Sequence, residues 1–321
     1  MNALLGNRGL VGRNLRQQHQ FLHQFNTSNM PQYYDGSYST VVCSAAPASM
    51  LMASRNPISD GESIDQLMDQ LSRLNCRNFV LISTIAVLAG HRDCNNEGVV
   101  DFEKQEVYGL NRRRLEIYCS EQFDKCLVVR LPALFGLGLK KNFIFDILNP
   151  IPSFLTMALC DSIRDILPSH LTSMFFGALT WVESISMYKL DRHLVDTSPH
   201  KRELENCLVS NGLSALSFTN PESVFQFYNL SRLWADIEVG LAAGLQLLHV
   251  SPAPLKANVI YHSVTNKEMP SSESRIHGEK YTQDMQTCHG QLWGSHNSYI
   301  IQEEEAMDEI VKFYSSCRDS H

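Results

Sequence analysis

The feature that most constrains this chain is GNRGLVG at positions 6 to 12, where Gly6, Gly9 and Gly12 stand between an apolar run and an amphipathic one. Met1–Leu5 reads as a buried strand, and Leu10, Val11 and Leu15 mark one face of a helix. A strand that turns directly into a helix leaves the helix's first N–H groups and its partial positive charge at the bend. Gly6 is expected to make the tight turn, Gly9 to let backbone approach a pyrophosphate, and Gly12 to let the helix pack closely on the strand. With Asn7, Arg8, Leu10 and Val11 they form a candidate phosphate cradle. A glycine-rich βα turn without a ligand is the plain alternative, and position at the first βα junction favours the cradle.

The same alternation continues. Tyr38–Ala45 (YSTVVCSA) and Asn78–Thr84 (NFVLIST) read as strands, and Asp60–Leu74 between them carries Ile64, Leu67, Met68, Leu71 and Leu74 at helical spacing. Tyr108–Phe123 reads as a helix and Cys126–Leu131 as a strand. Strands alternating with helices predict the α/β class, as a Rossmann-type doubly wound parallel sheet. After Pro132 the regularity lapses, which divides the chain into residues 1–135 and a mixed, smaller C-terminal substrate-binding lobe over 136–321. Within the latter, Leu137–Arg202 reads as insertions. Alternation resumes with a strand at Ser214–Thr219, a helix over Leu230–Ala243, a strand at Leu245–Val250 and a closing helix over Gln302–Cys317. Asn266–Gly278 is expected to be a surface loop.

Composition removes several classes of function. A net charge of −7 argues against nucleic acid as a partner, because phosphate-backbone binding concentrates Lys and Arg on one face. The most apolar stretch, Phe143–Leu159, is broken by Asp146, Asn149 and two prolines, so no membrane span is expected. Met1–Leu5 carries neither a charged leader nor a cleavage site, and nine cysteines without a CxxC pair suit reduced thiols, so a cytoplasmic setting is expected. The twelve histidines show no HxH, HxxH or HExxH spacing, and no metal is expected. Cys288 and His289 could be a nucleophile and a base, but neighbours in sequence rarely face each other.

Candidate chemistry gathers at strand ends. Ser83 and Thr84 close a strand, where open α/β sheets place their ligands. Tyr108 and Arg112 lie four apart, on one helix face, so the cation could favour the phenolate and suit it to proton exchange. IST at 82–84, YGLNRRRLE at 108–116 and VVRLPALFGLGLKKNFI at 128–144, with the glycine turn, resemble the extended short-chain dehydrogenase/reductase superfamily. They are most similar to its sugar-nucleotide epimerase/dehydratase and dTDP-4-dehydrorhamnose reductase-like branch, and FQFYNLSRLWADIEVGLAAG at 225–244 is similar to a later part of it.

The resemblance implies an NAD(P)-dependent reductase or epimerase acting on a nucleotide-sugar. Thr84 is then expected to bond the reacting oxygen, Tyr108 to act as general acid or base, and Arg112 to meet the nicotinamide ribose. Ser44, Ala45, Ala46, Ser83 and Pro132 join the glycine turn as cofactor contacts, while Lys140, Lys141, Asn142 and Arg232 are expected on the substrate. The family has lysine where this chain has Arg112, which keeps the charge but cannot lose a proton. A cofactor-binding sensor or subunit that has lost turnover is therefore the rival expectation, and a reductase of simple carbonyls is a second. Ile85 and Ala86 stand where dehydratases carry an acidic pair, which argues against dehydration, and Ile85 argues against rhamnose reductase activity in particular. No acid follows the glycines at the ribose-binding distance: Phe25–Asn29 is neutral, and Arg8 and Arg13 could meet a 2′-phosphate, so the expected cofactor is NADP ahead of NAD. A homodimer is compatible with the resemblance, through the helix that carries Tyr108.

Overall fold

Strands covered on both faces need apolar residues at consecutive positions, and the chain supplies them. In chain order they and their helices are β1 (Asn2–Leu5), α1 (Leu10–Gln18), β2 (His23–Phe25), β3 (Ser37–Cys43), α2 (Met50–Arg55), α3 (Pro57–Leu71), β4 (Asn75–Thr84), α4 (Val107–Gln122) and β5 (Cys126–Leu131). β5 is buried along its whole length. The computed structural model describes residues 1–26, 29, 37–90, 95–270 and 282–319.

The chain divides into two units, of which the first comprises Met1–Leu139, Phe225–Leu255 and Thr282–Ile310. Its sheet runs in the order Leu247–His249, β5, β4, β3, β1, β2, with every pairing parallel. The chain steps from β1 out to β2 and then crosses back to β3 on the other side of β1. The order therefore reverses between β1 and β3, and a crevice opens beyond the carboxyl ends of those two strands. Ile64, Leu67 and Leu71 of α3 and Leu115 and Cys119 of α4 are buried in one cluster with Leu5, Val41, Phe79 and Leu81 of the sheet. Phe79 stacks on Phe123 at 4.0 Å between ring centroids. Burying a side chain of this size stabilises the fold by about 1.5–3 kcal/mol.

The helix expected from Asp60 starts earlier, at Pro57, whose fixed φ and missing N–H suit a first helical position. The three-residue β2 carries no apolar alternation and went unread. Thr27 and Ser28, within the neutral segment after β2, lie outside the described residues, as does most of the loop expected over Asn266–Gly278.

The second unit comprises Lys140–Val224, Lys256–Tyr281 and Val311–His321. Its core joins Ile163 of the helix Met157–Ile166, Phe175 of the helix Ser169–Gly177 and Leu204 and Leu208 of the helix Lys201–Ser210. A three-stranded antiparallel sheet orders Phe154–Leu155, Met187–Leu190 and Leu179–Val182. The stretch read as irregular insertions is thus largely regular, its elements too short to show a period. The strand expected at Ser214–Thr219 is instead a 3-10 turn over Ala215–Phe218, with Ala215, Leu216 and Ser217 buried. Burial on every side imitates the apolar run of a buried strand. Among the described residues no helix is long and apolar enough to cross a membrane.

Candidate active site

At the reversal point the glycine turn is forced by its neighbours. Gly6 adopts φ +85°, and a Cβ on it would lie 2.4 Å from the carbonyl oxygen of Ser44 at the end of β3. Ser44 ties the two strand ends together, its N–H and its Oγ each donating to the Leu5 carbonyl at 2.9 Å. Gly12 packs against the Gly6 carbonyl, where a Cβ would come within 2.2 Å. Gly9 is the N-cap of α1 and differs from both, since a Cβ there would meet only the Gly6 oxygen at 3.5 Å. The helix N-terminus is thus open on the Gly9 side, and the first N–H to close back is that of Arg13, onto the Gly9 carbonyl at 3.0 Å. Asn7 Oδ1 is buried there with no hydrogen-bond partner. Ala45 and Ala46 follow Ser44 as half-buried small residues, and Pro132 is buried just beyond β5.

Thr84 ends β4 and caps the 3-10 turn Ile85–Val87, its Oγ1 accepting from the Ala86 N–H at 3.2 Å. Its own proton remains for another acceptor. Thr84 is close enough to act on the Tyr108 phenol, so residues 24 apart in sequence come near each other at one strand end. The Ser83 hydroxyl points to another partner: its Oγ donates to Glu116 at 2.6 Å.

Arg112 lies 4.3 Å from the Tyr108 ring centroid but is 3% exposed and locked in place. It donates to Asp60 through Nη1 at 2.8 Å and Nη2 at 3.0 Å, and Nη2 also donates to the Pro47 carbonyl. Asn111 donates to the same carboxylate at 2.8 Å. Burial pushes the Tyr108 phenol above its usual range; Arg112 favours the phenolate, as expected of the cation, and Thr84 pulls the same way, but together they do not offset burial. The Asp60 carboxylate beside Arg112 adds to the rise in a smaller way, by opposing a second negative charge on the phenol.

Arg232 also departs from expectation. It pairs with Glu305 at 2.6 Å, Glu309 at 3.2 Å and Asp236 at 3.4 Å, so its charge is balanced within the protein and it is not positioned as a free phosphate clamp. Lys140, Lys141 and Asn142 belong to the second unit. There Asn142 caps the helix Phe143–Leu148, accepting from Phe145 N–H at 3.2 Å, and both lysines are exposed.

Two contributors were invisible in sequence. Asp60 looks like an ordinary first-turn acid of α3. Gly109, next to Tyr108, lets α4 lie against the Ile85–Val87 turn, and a Cβ on it would sit 2.2 Å from the Ala86 carbonyl oxygen. The only available signal was its place beside the candidate acid. Gly109→Ala is expected to push α4 off that turn, lower stability by about 1–3 kcal/mol and loosen the Tyr108–Thr84 contact. Thermal unfolding reads the first effect, and a wild-type melting temperature would show that the turn yields without cost.

Behind the site lies a buried polar chain. Glu116 receives Arg130 Nε at 2.9 Å and Nη2 at 2.7 Å, and both side chains are 1% exposed. Arg130 Nη1 lies 3.2 Å from His249 Nε2, and His249 Nδ1 lies 2.9 Å from the Gln286 carbonyl. Burial lowers the His249 pKa, which keeps the ring neutral, with Nδ1–H donating to Gln286 and Nε2 accepting from Arg130.

No family model and no curated sequence matches the chain. Solved structures do. The dTDP-4-dehydrorhamnose reductase of Clostridium acetobutylicum is 12% identical, with a TM-score of 0.59 over 99% of this chain and 100% of that one. The dTDP-4-dehydrorhamnose reductase of Bacillus anthracis, in complex with NADP, is 12% identical with a TM-score of 0.59 over 98% and 97%. A variant of the UDP-glucuronic acid 4-epimerase of Bacillus cereus, in complex with UDP-4-deoxy-4-fluoro-glucuronic acid and NAD, is 9% identical with a TM-score of 0.59 over 100% of both chains. At these identities the likeness is one of fold, an α/β fold that these solved nucleotide-sugar reductases and epimerases share.

Proposed function

We propose that the chain is an NAD(P)-dependent reductase or epimerase that acts on a nucleotide-sugar. The observation that carries this reading is the meeting of Tyr108 with Thr84 at the end of β4, in the sheet whose strand order reverses at the glycine turn. The turn fits a dinucleotide: Gly9 leaves space over the N-terminus of α1, and Asn7 Oδ1 is a buried acceptor without a partner. Arg8, Leu10, Val11 and Gly12 would hold the phosphates through backbone N–H groups, while Gly6, Asn7 and Gly9, whose N–H groups bond the Phe25 and Gly6 carbonyls, shape the turn around them, with Ser44, Ala45, Ala46 and Pro132 alongside.

When bound, the nicotinamide would supply or take up a hydride at the reacting carbon. Tyr108, kept as the neutral phenol by burial, donates the proton to a carbonyl oxygen as it gains charge. Thr84 Oγ1 accepts from Ala86 N–H and keeps its own proton, which would orient the same oxygen. Arg112 is a positioning residue for the phenol, and Nε is its one unpartnered nitrogen. Lys140 and Lys141 offer cationic groups that would suit a diphosphate.

Titration calorimetry with NADPH and NADH, followed by a hydride-transfer assay on 4-keto nucleotide-sugars, tests the reading. β2 is followed by a neutral Asn26, and the absence of an acid there favours NADPH. NADPH is expected to bind more tightly than NADH, and Arg8→Ala with Arg13→Ala is expected to narrow the preference by about tenfold if one charged hydrogen bond to the 2′-phosphate is lost. Tight binding with no turnover on any keto sugar would point to the sensor or subunit instead, and binding of neither cofactor would remove the reading altogether.

A further inference from the structure

We propose that Glu97, Cys288 and His289 form a binding site for a thiophilic divalent cation of the Zn2+ type. The site is independent of the oxidoreductase reading and lies wholly in the first unit. Three donors of different chemistry, a carboxylate, a thiol and an imidazole, converge from segments about 190 residues apart, with all ligand atoms within 4.8 Å of one another. Sequence neighbours seldom face each other, yet Cys288 Sγ lies 3.6 Å from His289 Nε2. His289 is the cap of the 3-10 turn Gly290–Trp293, with φ −104° and ψ 10°, and this bend brings its ring back toward the thiol. A tetrahedral ion with bonds of about 2.3 Å to sulfur and about 2.0–2.1 Å to nitrogen would itself hold those two atoms about 3.6 Å apart.

Glu97 is prepared in the way that metal-binding carboxylates are. Its Oε1 accepts from Thr287 Oγ1 at 2.7 Å and His249 N–H at 2.8 Å, and its Oε2 accepts from Cys288 N–H at 2.9 Å. Those donors fix both oxygens and leave one lone pair, on Oε2, over for a ligand. Thr287 Oγ1 also receives the His289 N–H at 3.1 Å, so one hydroxyl holds the carboxylate and the imidazole segment together. The sulfur selects against Mg2+ and Ca2+, and a set of three protein ligands leaves the fourth position of a Zn2+ ion to solvent. As the metal–sulfur bond forms, the thiol proton leaves to solvent. The thiolate, the carboxylate and the dication then sum to no net charge.

Cobalt(II) titration of the full chain tests this, because a Co2+–thiolate bond gives a charge-transfer band that imidazole and carboxylate ligands do not. A second trio, His170, His200 and Glu203, is exposed in the other unit and could also take the ion, so the titration is run on a His170→Ala, His200→Ala background. One equivalent of Co2+ is expected to produce the band, Zn2+ to displace it, and bound Zn2+ to protect Cys288 from alkylation. Cys288→Ser should abolish the band, His289→Ala should weaken binding by about tenfold or more, and Thr287→Val, which removes the hydroxyl that orients Glu97 but no ligand, by about tenfold. A band that survives Cys288→Ser, or Co2+ uptake without the band, would overturn the assignment.

Discussion

Tyr108→Phe is expected to slow hydride exchange with a keto nucleotide-sugar by about 10²–10⁴-fold while changing cofactor affinity little. The substitution removes one oxygen from a half-buried ring and leaves its contact with Arg112 in place. The loss should appear equally in kcat and kcat/KM, because proton donation is realised only as the carbonyl oxygen gains charge. The reducing direction carries a further expectation about pH. Burial, assisted by the Asp60 carboxylate, raises the phenol's pKa, so the acid form persists through neutral pH and beyond its ordinary limit near 10. Reduction should therefore show no alkaline limb from Tyr108 below about pH 10. The stability sign agrees: the folded chain holds this proton more tightly than the unfolded chain, so the contribution is full below the unfolded pKa and fades as pH rises through the folded one. A descending limb near neutrality that vanishes in Tyr108→Phe would show instead that the phenolate forms readily and that Arg112 outweighs burial.

The second large effect concerns stability. Glu116→Ala should lower the free energy of unfolding by about 3–5 kcal/mol, because it strands a guanidinium in the core. Arg130, at 1% exposure, loses both bonds of its paired contact, Ser83 and Arg113 lose the same carboxylate, and Arg130 keeps neutral His249 within 3.2 Å and the Phe102 ring at 5.5 Å, neither of which carries a compensating charge. Urea unfolding should show a lower midpoint with an unchanged slope. Replacing both members of the pair with apolar residues of similar volume should recover much of the loss, since a buried pair is costly to break and nearly neutral to replace. A fall of under about 1 kcal/mol in the single variant would mean that the pair behaves as a solvated surface one.

The two effects differ in how far they could be foreseen. Tyr108 and Thr84 were legible because each sits at a recognisable local place, one beginning a helix and the other closing a strand, with a spacing that the fold class explains. The partners that decide their chemistry were not. Nothing in Pro57–Leu71 distinguishes Asp60 from a solvated acid, yet it occupies both NH2 ends of Arg112 and opposes a charge on the phenol, while burial outweighs the pull of that cation. Arg232 had the look of a phosphate clamp until three carboxylates, two of them more than 70 residues away, came within 4 Å. Cys288 and His289 were set aside as neighbours that diverge, whereas one 3-10 turn folds them together against Glu97.

Sequence by itself determined the α/β class, the glycine turn at the first βα junction and the strand and helix ends that carry Thr84 and Tyr108, because each follows from short-range periodicity, local turn geometry and chain order. Tertiary structure alone decided which charges are cancelled and which hydroxyls are free. Those outcomes rest on distances between segments far apart in the chain and on exclusion of water, and neither quantity has a local sequence signature.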